Sequence, residues 1–227
     1  MPKVHPNAAA AAAESPTAEA SCDGRARAAE ATALTVWRKS LLFNGNGFTV
    51  FDSKGNLVFR VDNYSSGSSD EIVLMDAAGK PLLTIRKKRV FMMQKLSLGD
   101  HWLVYDGEEA VNPRFAVKKH KGLLHSTKAL ARVTAPCTSG SKSRLVYDVE
   151  GSYSRRCCVV YDDRRRQLAE IKKKESAQGI ALGLDVFRLI VEPELDAAFA
   201  MAMVILLEQM FGSRRSLLGE ACVFMRL

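Results

Sequence analysis

Leu195-Asp196-Ala197-Ala198-Phe199-Ala200-Met201-Ala202-Met203-Val204-Ile205-Leu206-Leu207-Glu208-Gln209-Met210-Phe211 is the long segment of this chain that reads as helix rather than strand. Pro193 bars backward extension, Glu194 and Asp196 put negative charge at the N-terminal end, Gly212 follows as a C-terminal cap, and Arg214 and Arg215 complement the far end. The eleven residues from Ala197 to Leu207 include no polar side chain, so the helix is apolar on every face and must be enclosed. Crossing a bilayer takes about 20 apolar residues, whereas this run covers roughly 16 Å, so no transmembrane span is expected. Enclosure by protein is the reading that fits, with Phe199, Met203, Leu206, Leu207 and Met210 among the buried helix core. The helix's nine large side chains contribute a gross term of about 15–25 kcal/mol, before the entropy of ordering them.

The wall must come from upstream. From Leu34 the chain becomes a series of short β-rich runs at 34–43, 47–52, 57–62, 71–76, 81–87, 90–97, 101–106, 113–119, 129–134, 143–150, 156–161, 167–173 and 180–191. Asp52-Ser53-Lys54-Gly55-Asn56 and Asp76-Ala77-Ala78-Gly79-Lys80 read as hairpin connections with Gly at a positive φ. A barrel of eight strands is filled by its own side chains, whereas one of about eleven has room for a helix. Strands of six to eight residues rise roughly 20–27 Å, which matches a 17-residue helix of about 25 Å. The expected fold is therefore mainly β, a closed antiparallel barrel of about twelve strands around its C-terminal helix. Closure also removes exposed sheet edges.

Residues 1–33 hold thirteen alanines and no aromatic side chain, the composition of a disordered arm with nascent helix over Arg25 to Ala33. The domain reading is an arm at 1–33, a barrel at 34–212 with its helix at 195–211, and a tail at 213–227. The whole chain carries +8, and the first 33 residues hold three basic and four acidic groups, so the rest carries +9. That balance suits an acidic partner surface. Five cysteines show neither a C-x-x-C pair nor a disulfide framework, and adjacent Cys157 and Cys158 would face opposite sides of a strand. Such usage fits a reducing compartment, and no secretory signal is evident.

The chain also repeats. A shift of 86 residues lays Ile72–Lys88 on Cys158–Lys174 with six identities in seventeen positions: Val73/Val159, Asp76/Asp162, Leu82/Leu168, Ile85/Ile171, Lys87/Lys173 and Lys88/Lys174. With one helix available to both copies, this reads as an internal duplication within one barrel.

The runs Leu57-Val58-Phe59-Arg60-Val61-Asp62-Asn63-Tyr64, Val73-Leu74-Met75-Asp76-Ala77-Ala78-Gly79-Lys80-Pro81-Leu82-Leu83-Thr84-Ile85-Arg86-Lys87-Lys88, Leu96-Ser97-Leu98 and Trp102-Leu103-Val104-Tyr105-Asp106-Gly107 resemble the plant LURP-one-related proteins over roughly residues 34–211. The resemblance implies a tubby-like fold, shared with tubby C-terminal domains and phospholipid scramblases: a twelve-stranded barrel threaded by a hydrophobic C-terminal helix. Two positions depart from the pattern. Gly99 stands where a His usually follows the Leu-Ser-Leu run, and Asp162-Asp163-Arg164-Arg165-Arg166 lacks the Gly of its partner turn.

Basic clusters carry the functional signal. Arg86, Lys87, Lys88 and Arg89 with Lys95 form one patch, Lys172, Lys173 and Lys174 beside Arg164-Arg165-Arg166 a second, and Lys118-Lys119-His120-Lys121 a third. Consecutive strand residues face opposite sides, so such runs belong at a barrel rim, where cations can converge on a phosphate. A polybasic patch gains about 1 kcal/mol per Lys or Arg at an anionic membrane. The candidate headgroup residues are Arg86, Lys87, Lys88, Arg89, Lys95, Lys172, Lys173 and Lys174, chosen from local charge and not carried over from a family site.

Catalytic signatures are missing: no H-E-x-x-H, G-x-S-x-G, Walker loop or G-x-G-x-x-G occurs, so no enzyme activity, cofactor or metal is expected. Trp37 and Trp102 read as core. The leading expectation is a non-enzymatic module docking on anionic phospholipid, phosphoinositide above all. Its location would be cytoplasmic and peripheral at the plasma membrane, with release toward the nucleus and a role in plant defence or stress signalling implied by the resemblance. A protein-interaction scaffold and a scramblase-like lipid mover are the alternatives. Nucleic acid is disfavoured by the scarcity of aromatics beside the patches.

Overall fold

The computed structural model describes residues 30–41, 47–62, 71–88, 101–108, 111–120, 128–135, 146–175 and 183–212. Within them the chain forms β1 (Thr32–Trp37), β2 (Gly47–Phe51), β3 (Leu57–Asp62), β4 (Glu71–Asp76), β5 (Pro81–Lys87), β6 (His101–Asp106), β7 (Pro113–Lys119), β8 (Ala129–Thr134), β9 (Val146–Ser152), β10 (Cys157–Tyr161), β11 (Gln167–Lys173), β12 (Val186–Val191) and α1 (Ala197–Phe211). The twelve strands close into one antiparallel barrel in sequence order, with β1 pairing β12 from Thr32↔Val191 to Trp37↔Val186.

Alternation builds the wall. In β1, Leu34 and Val36 point inward and are buried while Thr35 is half-buried and Trp37 exposed on the other face, and Val50, Leu74, Ile85, Val104 and Val133 occupy equivalent inward positions. These side chains meet α1, whose residues from Phe199 to Leu207 are all buried, as is Met210. Phe199 stacks 4.0 Å from Phe115 and 5.5 Å from Tyr147, which fixes the start of the helix against β7 and β9. Asp196, rather than a residue before it, is the N-cap: its carboxylate accepts the Ala198 amide at 2.9 Å. Gly212 caps the other end in a right-handed helical conformation, φ −77°. It is glycine for a packing reason, because a Cβ there would strike the Glu208 side chain folded back over it.

The repeat is visible in the register. β5 displaced by 86 residues falls on β11, and the bulge at Leu74/Met75 in the β4–β5 pair recurs at Val160/Tyr161 in the β10–β11 pair. Both hairpins end in the same turn. The Asp76 amide bonds Lys80 O at 3.0 Å and Gly79 N bonds Asp76 O at 3.1 Å, while Asp162 N bonds Arg166 O and Arg165 N bonds Asp162 O, each at 3.1 Å. Arg165 takes the positive-φ position of Gly79, at +65° against +90°. Its guanidinium sits 4.4 Å from the Tyr161 ring and pairs with Glu150 at 2.7 Å, contacts that offset the left-handed backbone and explain the missing glycine.

Four expectations change. Thr32 and Ala33 belong to β1 and not to the arm or a nascent helix, because they complete the seam with Val191 and Ile190. The last strand begins at Val186 and not at 180, and the first ends at Trp37 and not at 43. Trp37 is 39% exposed, since the alternation that buries Val36 turns it outward, whereas Trp102 is buried as expected. The strand at 90–97, most of the arm and the tail 213–227 lie outside the described residues.

Candidate functional site

Up-and-down order gives the barrel two unlike rims. Between β2 and β3, β4 and β5, β6 and β7, and β10 and β11 the connections run four to six residues, five residues link β12 to α1, and the eleven residues between β8 and β9 are the exception at this rim. At the opposite rim five of six connections run eight to thirteen residues. Charge follows the same division. Among the described residues, the long-connection rim with its strand-end residues and the helix's Glu208 carries ten cations against five carboxylates, and the short-turn rim five against ten.

The basic strand ends fall on the long-connection rim. Lys87 ends β5, Lys88 follows it and donates its amide to His101 O at 2.8 Å, while Lys173 ends β11 with Lys174 beyond it. Strand order sets β5 and β11 six places apart in the ring of twelve. Twelve strands about 4.8 Å apart and tilted near 40° close to roughly 24 Å across, so the two patches stand on opposite sides of the rim. No single headgroup can meet both, whereas a flat anionic surface can.

Several cations are already engaged. Arg86 pairs with Glu71 at 2.7 Å and Lys172 with Glu170 at 2.9 Å. Lys87 lies 5.7 Å from the Trp102 ring, and Lys174 Nζ bonds Thr35 Oγ1 at 3.0 Å. Lys88, Lys128 and Lys173 are exposed and form no ion pair among the described residues. Arg164-Arg165-Arg166 do not sit beside Lys172–Lys174: the seven-residue β11 separates them, and they belong to the short-turn rim. There Arg166 pairs with Asp162 at 2.8 Å as Arg165 does with Glu150. Arg89, Lys95 and Lys121 lie outside the described residues.

Four cations serve the helix. α1 starts at the short-turn rim, where Asp196 lies 3.7 Å from Arg114, and ends at the other, where no basic residue occupies its own last turn. The wall supplies the charge. Lys119 Nζ donates to Met210 O at 2.8 Å and lies 4.5 Å from the Phe211 ring, complementing the negative helix end. Glu208 meets Arg38 at 3.0 Å and Arg156 at 3.8 Å. Arg156 is buried, donates to Leu184 O at 2.8 Å and stacks against Tyr153 and Phe187 at 4.2 and 4.4 Å. Burial pushes the Tyr153 hydroxyl pKa well up, so it stays protonated at neutral pH.

Sequence reasoning missed Arg38, Lys39 and Lys128, although Trp37-Arg38-Lys39 was a legible aromatic-basic run. Lys39 Nζ lies 5.5 Å from the Trp37 ring. Elsewhere, Cys157 is exposed and Cys158 buried, as their adjacency on a strand implies, and burial pushes the Cys158 thiol up to about 12. An apolar cavity between α1 and β7–β9, bordered by Met203, Leu207 and Met210, has about 10 Å³ of free volume, too little for an acyl chain. No group of His, Cys, Asp or Glu among the described residues is arranged to hold a metal ion. No helix among them is long and apolar enough to cross a membrane.

A closed twelve-stranded antiparallel barrel holding one C-terminal helix, cationic at the end where that helix finishes, defines the class. The chain belongs to the LURP-one-related family, whose model matches residues 32–208. It is 48% identical over 216 residues to LURP-one-related 8 of Arabidopsis thaliana, covering 94% of this chain and 100% of that protein. Identity to LURP-one-related 5 of the same plant is 40% over 198 residues, covering 84% and 89%. The fold is similar to a crystal structure of an Arabidopsis thaliana protein, with TM-score 0.55 and 23% identity over 79% of this chain and 91% of that one.

Proposed function

We propose that this barrel is a binding module that docks on an anionic phospholipid surface, phosphoinositide-bearing membrane above all, through its long-connection rim. The observation that supports this reading is the charge division between the two rims: ten cations against five carboxylates at one, five against ten at the other. A flat negative surface engages Lys87 and Lys88 on one side and Lys39, Lys173 and Lys174 on the other at once. At about 1 kcal/mol each the five give about 5 kcal/mol, a dissociation constant on the order of 0.2 mM. Arg86 and Lys172 contribute less, because each already faces a carboxylate. A scramblase-like role would require α1 to enter a bilayer, and the barrel encloses it. The family resemblance supplies the setting we infer, a membrane-tethered regulator in plant defence or stress signalling.

Sedimentation with vesicles tests the docking. Pelleting should rise from neutral to phosphatidylserine to phosphoinositide vesicles, fall as salt is raised, and weaken when Lys87, Lys88, Lys173 and Lys174 become Ala. Equal pelleting with neutral vesicles, or no response to those changes, contradicts the reading. A protein partner captured equally well at high salt would favour the scaffold instead.

A further inference from the structure

Electrostatic attraction of this size is weak and fails as salt rises, so a module that stays on a membrane needs an apolar foothold beside its cations. Among the described residues, three large hydrophobic side chains are exposed: Trp37, Leu41 and Val111. Val111 is alone on the short-turn rim, an ordinary exposed aliphatic. The other two lie on the cationic rim. Trp37 ends β1 on the outer face, 39% exposed, and Leu41 is four residues on in the same connection, 54% exposed.

The surroundings of Trp37 decide what it fits. Lys39 Nζ lies 5.5 Å from its ring. The register places Val186 of β12 beside it, and one strand further is the end of β11 with Lys173 and Lys174, the latter bonded to Thr35 two residues before Trp37. In the row below, Lys172, Arg188 and Thr35 follow one another across the outer face. Acidic groups here are Glu170, paired with Lys172, Asp185 and Glu208, paired with Arg38, Asp62, which pairs with Arg60 and accepts the Ser40 hydroxyl, and the exposed Glu175. An indole with an apolar body and a polar N–H, beside Lys39 and two strands from Lys173 and Lys174 at a rim, has the chemistry of an interfacial anchor and not of a dry protein contact.

We propose that Trp37, together with Leu41 of the connection that follows it, inserts into the headgroup boundary of an anionic membrane, and that the β11–β12–β1 sector is the part of the rim that sits deepest. This rests on the docking reading and adds to it which side of the rim enters. The β5 side, where Lys87 and Lys88 carry the charge, would then contact headgroups without insertion. Trp102, buried in the barrel, stays out of reach of lipid.

The test uses the full chain on phosphoinositide vesicles, with bromine-labelled acyl chains in one set. Insertion predicts a blue shift of tryptophan emission and quenching of part of it by bromolipid on binding. Trp37→Phe should remove both signals, and Leu41→Ser should weaken binding about fivefold with an unchanged melting midpoint. Vesicle binding without bromolipid quenching overturns the anchor and leaves rim docking standing. Absence of binding at low salt to every anionic composition overturns both.

Discussion

The two ends of the barrel are made by the same twelve strands and finished in opposite ways. At the short-turn rim, charge is spent inside the protein. The Asp52 carboxylate accepts amides of Lys54 and Asn56 at 2.8 Å, Asp76 that of Lys80 at 2.8 Å, and Asp162 those of Arg164 and Arg166 at 2.9 and 2.8 Å. At the long-connection rim the helix end takes Arg38, Lys119 and Arg156, Lys39 and Lys87 lie beside aromatic rings, Lys174 bonds Thr35 Oγ1, and Lys88, Lys128 and Lys173 are exposed. The contrast separates two uses of charge within one fold: carboxylates that hold tight turns, and cations left available at a surface. Substitutions at the first rim should move stability without moving binding, and those at the second the reverse.

Glu208 is the exception that sharpens this division, since it lies at the cationic rim and holds the helix to the wall. Glu208→Ala leaves the buried Arg156 without its carboxylate and should cost about 3 kcal/mol in denaturant unfolding, with no loss of vesicle binding by the protein that remains folded. Next in size, replacing Lys39, Lys173 and Lys174 by Ala should weaken binding to anionic vesicles about 100-fold at low salt, with the melting midpoint unchanged. If replacing Lys54, Lys80 and Arg164 by Ala weakened binding equally, the rims would not differ in function.

Smaller effects compare the two copies of the turn. Gly79→Ala forces a Cβ into a left-handed residue and against the Arg60 guanidinium, and should cost about 1–2 kcal/mol in thermal unfolding. Arg165→Gly at the matching position relieves that backbone but loses the Tyr161 stack and the Glu150 pair, so its melting midpoint should scarcely move.

The smallest effect is a pH response. The Asn56 side chain and amide hold the Asp52 carboxyl below its ordinary range. Burial alone would raise Asp162, but hydrogen bonds from Arg166 and Arg164 outweigh it and lower that carboxyl too. Groups depressed in the folded state add stability above their unfolded pKa and lose it as pH falls through the folded value. The double variant Asp52→Asn/Asp162→Asn should therefore be less stable than the parent at pH 7 and lose less on acidification below pH 4. An equal acid sensitivity in parent and variant would show that these turns do not hold the rim.

The barrel was legible because its signals are local and periodic. The uniformly apolar helix demanded enclosure, short β-rich runs marked strands such as His101–Asp106 and Pro113–Lys119, and Asp-x-x-Gly turns fixed two hairpins. The third turn was placed by its partner in the repeat, but its lack of glycine was not legible, because Arg165 substitutes with the help of Glu150 and Tyr161, partners distant or unremarkable in sequence. The functional surface was less legible for a geometric reason. Neighbouring residues such as Arg166 and Lys173 can stand at opposite ends of one strand, while Lys39 and Lys174, far apart in the chain, share one sector. Pairing also escaped sequence reading: Arg86 and Lys172 looked like their neighbours until Glu71 and Glu170 were seen facing them.

Amide hydrogen exchange of the intact chain, free and on phosphoinositide vesicles, tests most directly whether the rims differ in function. Protection on binding should fall on residues 37–41, 86–88 and 172–175, with 52–56, 76–80 and 162–166 exchanging as they do in the free protein. Protection of the short turns instead, or spread equally over both rims, would contradict the account.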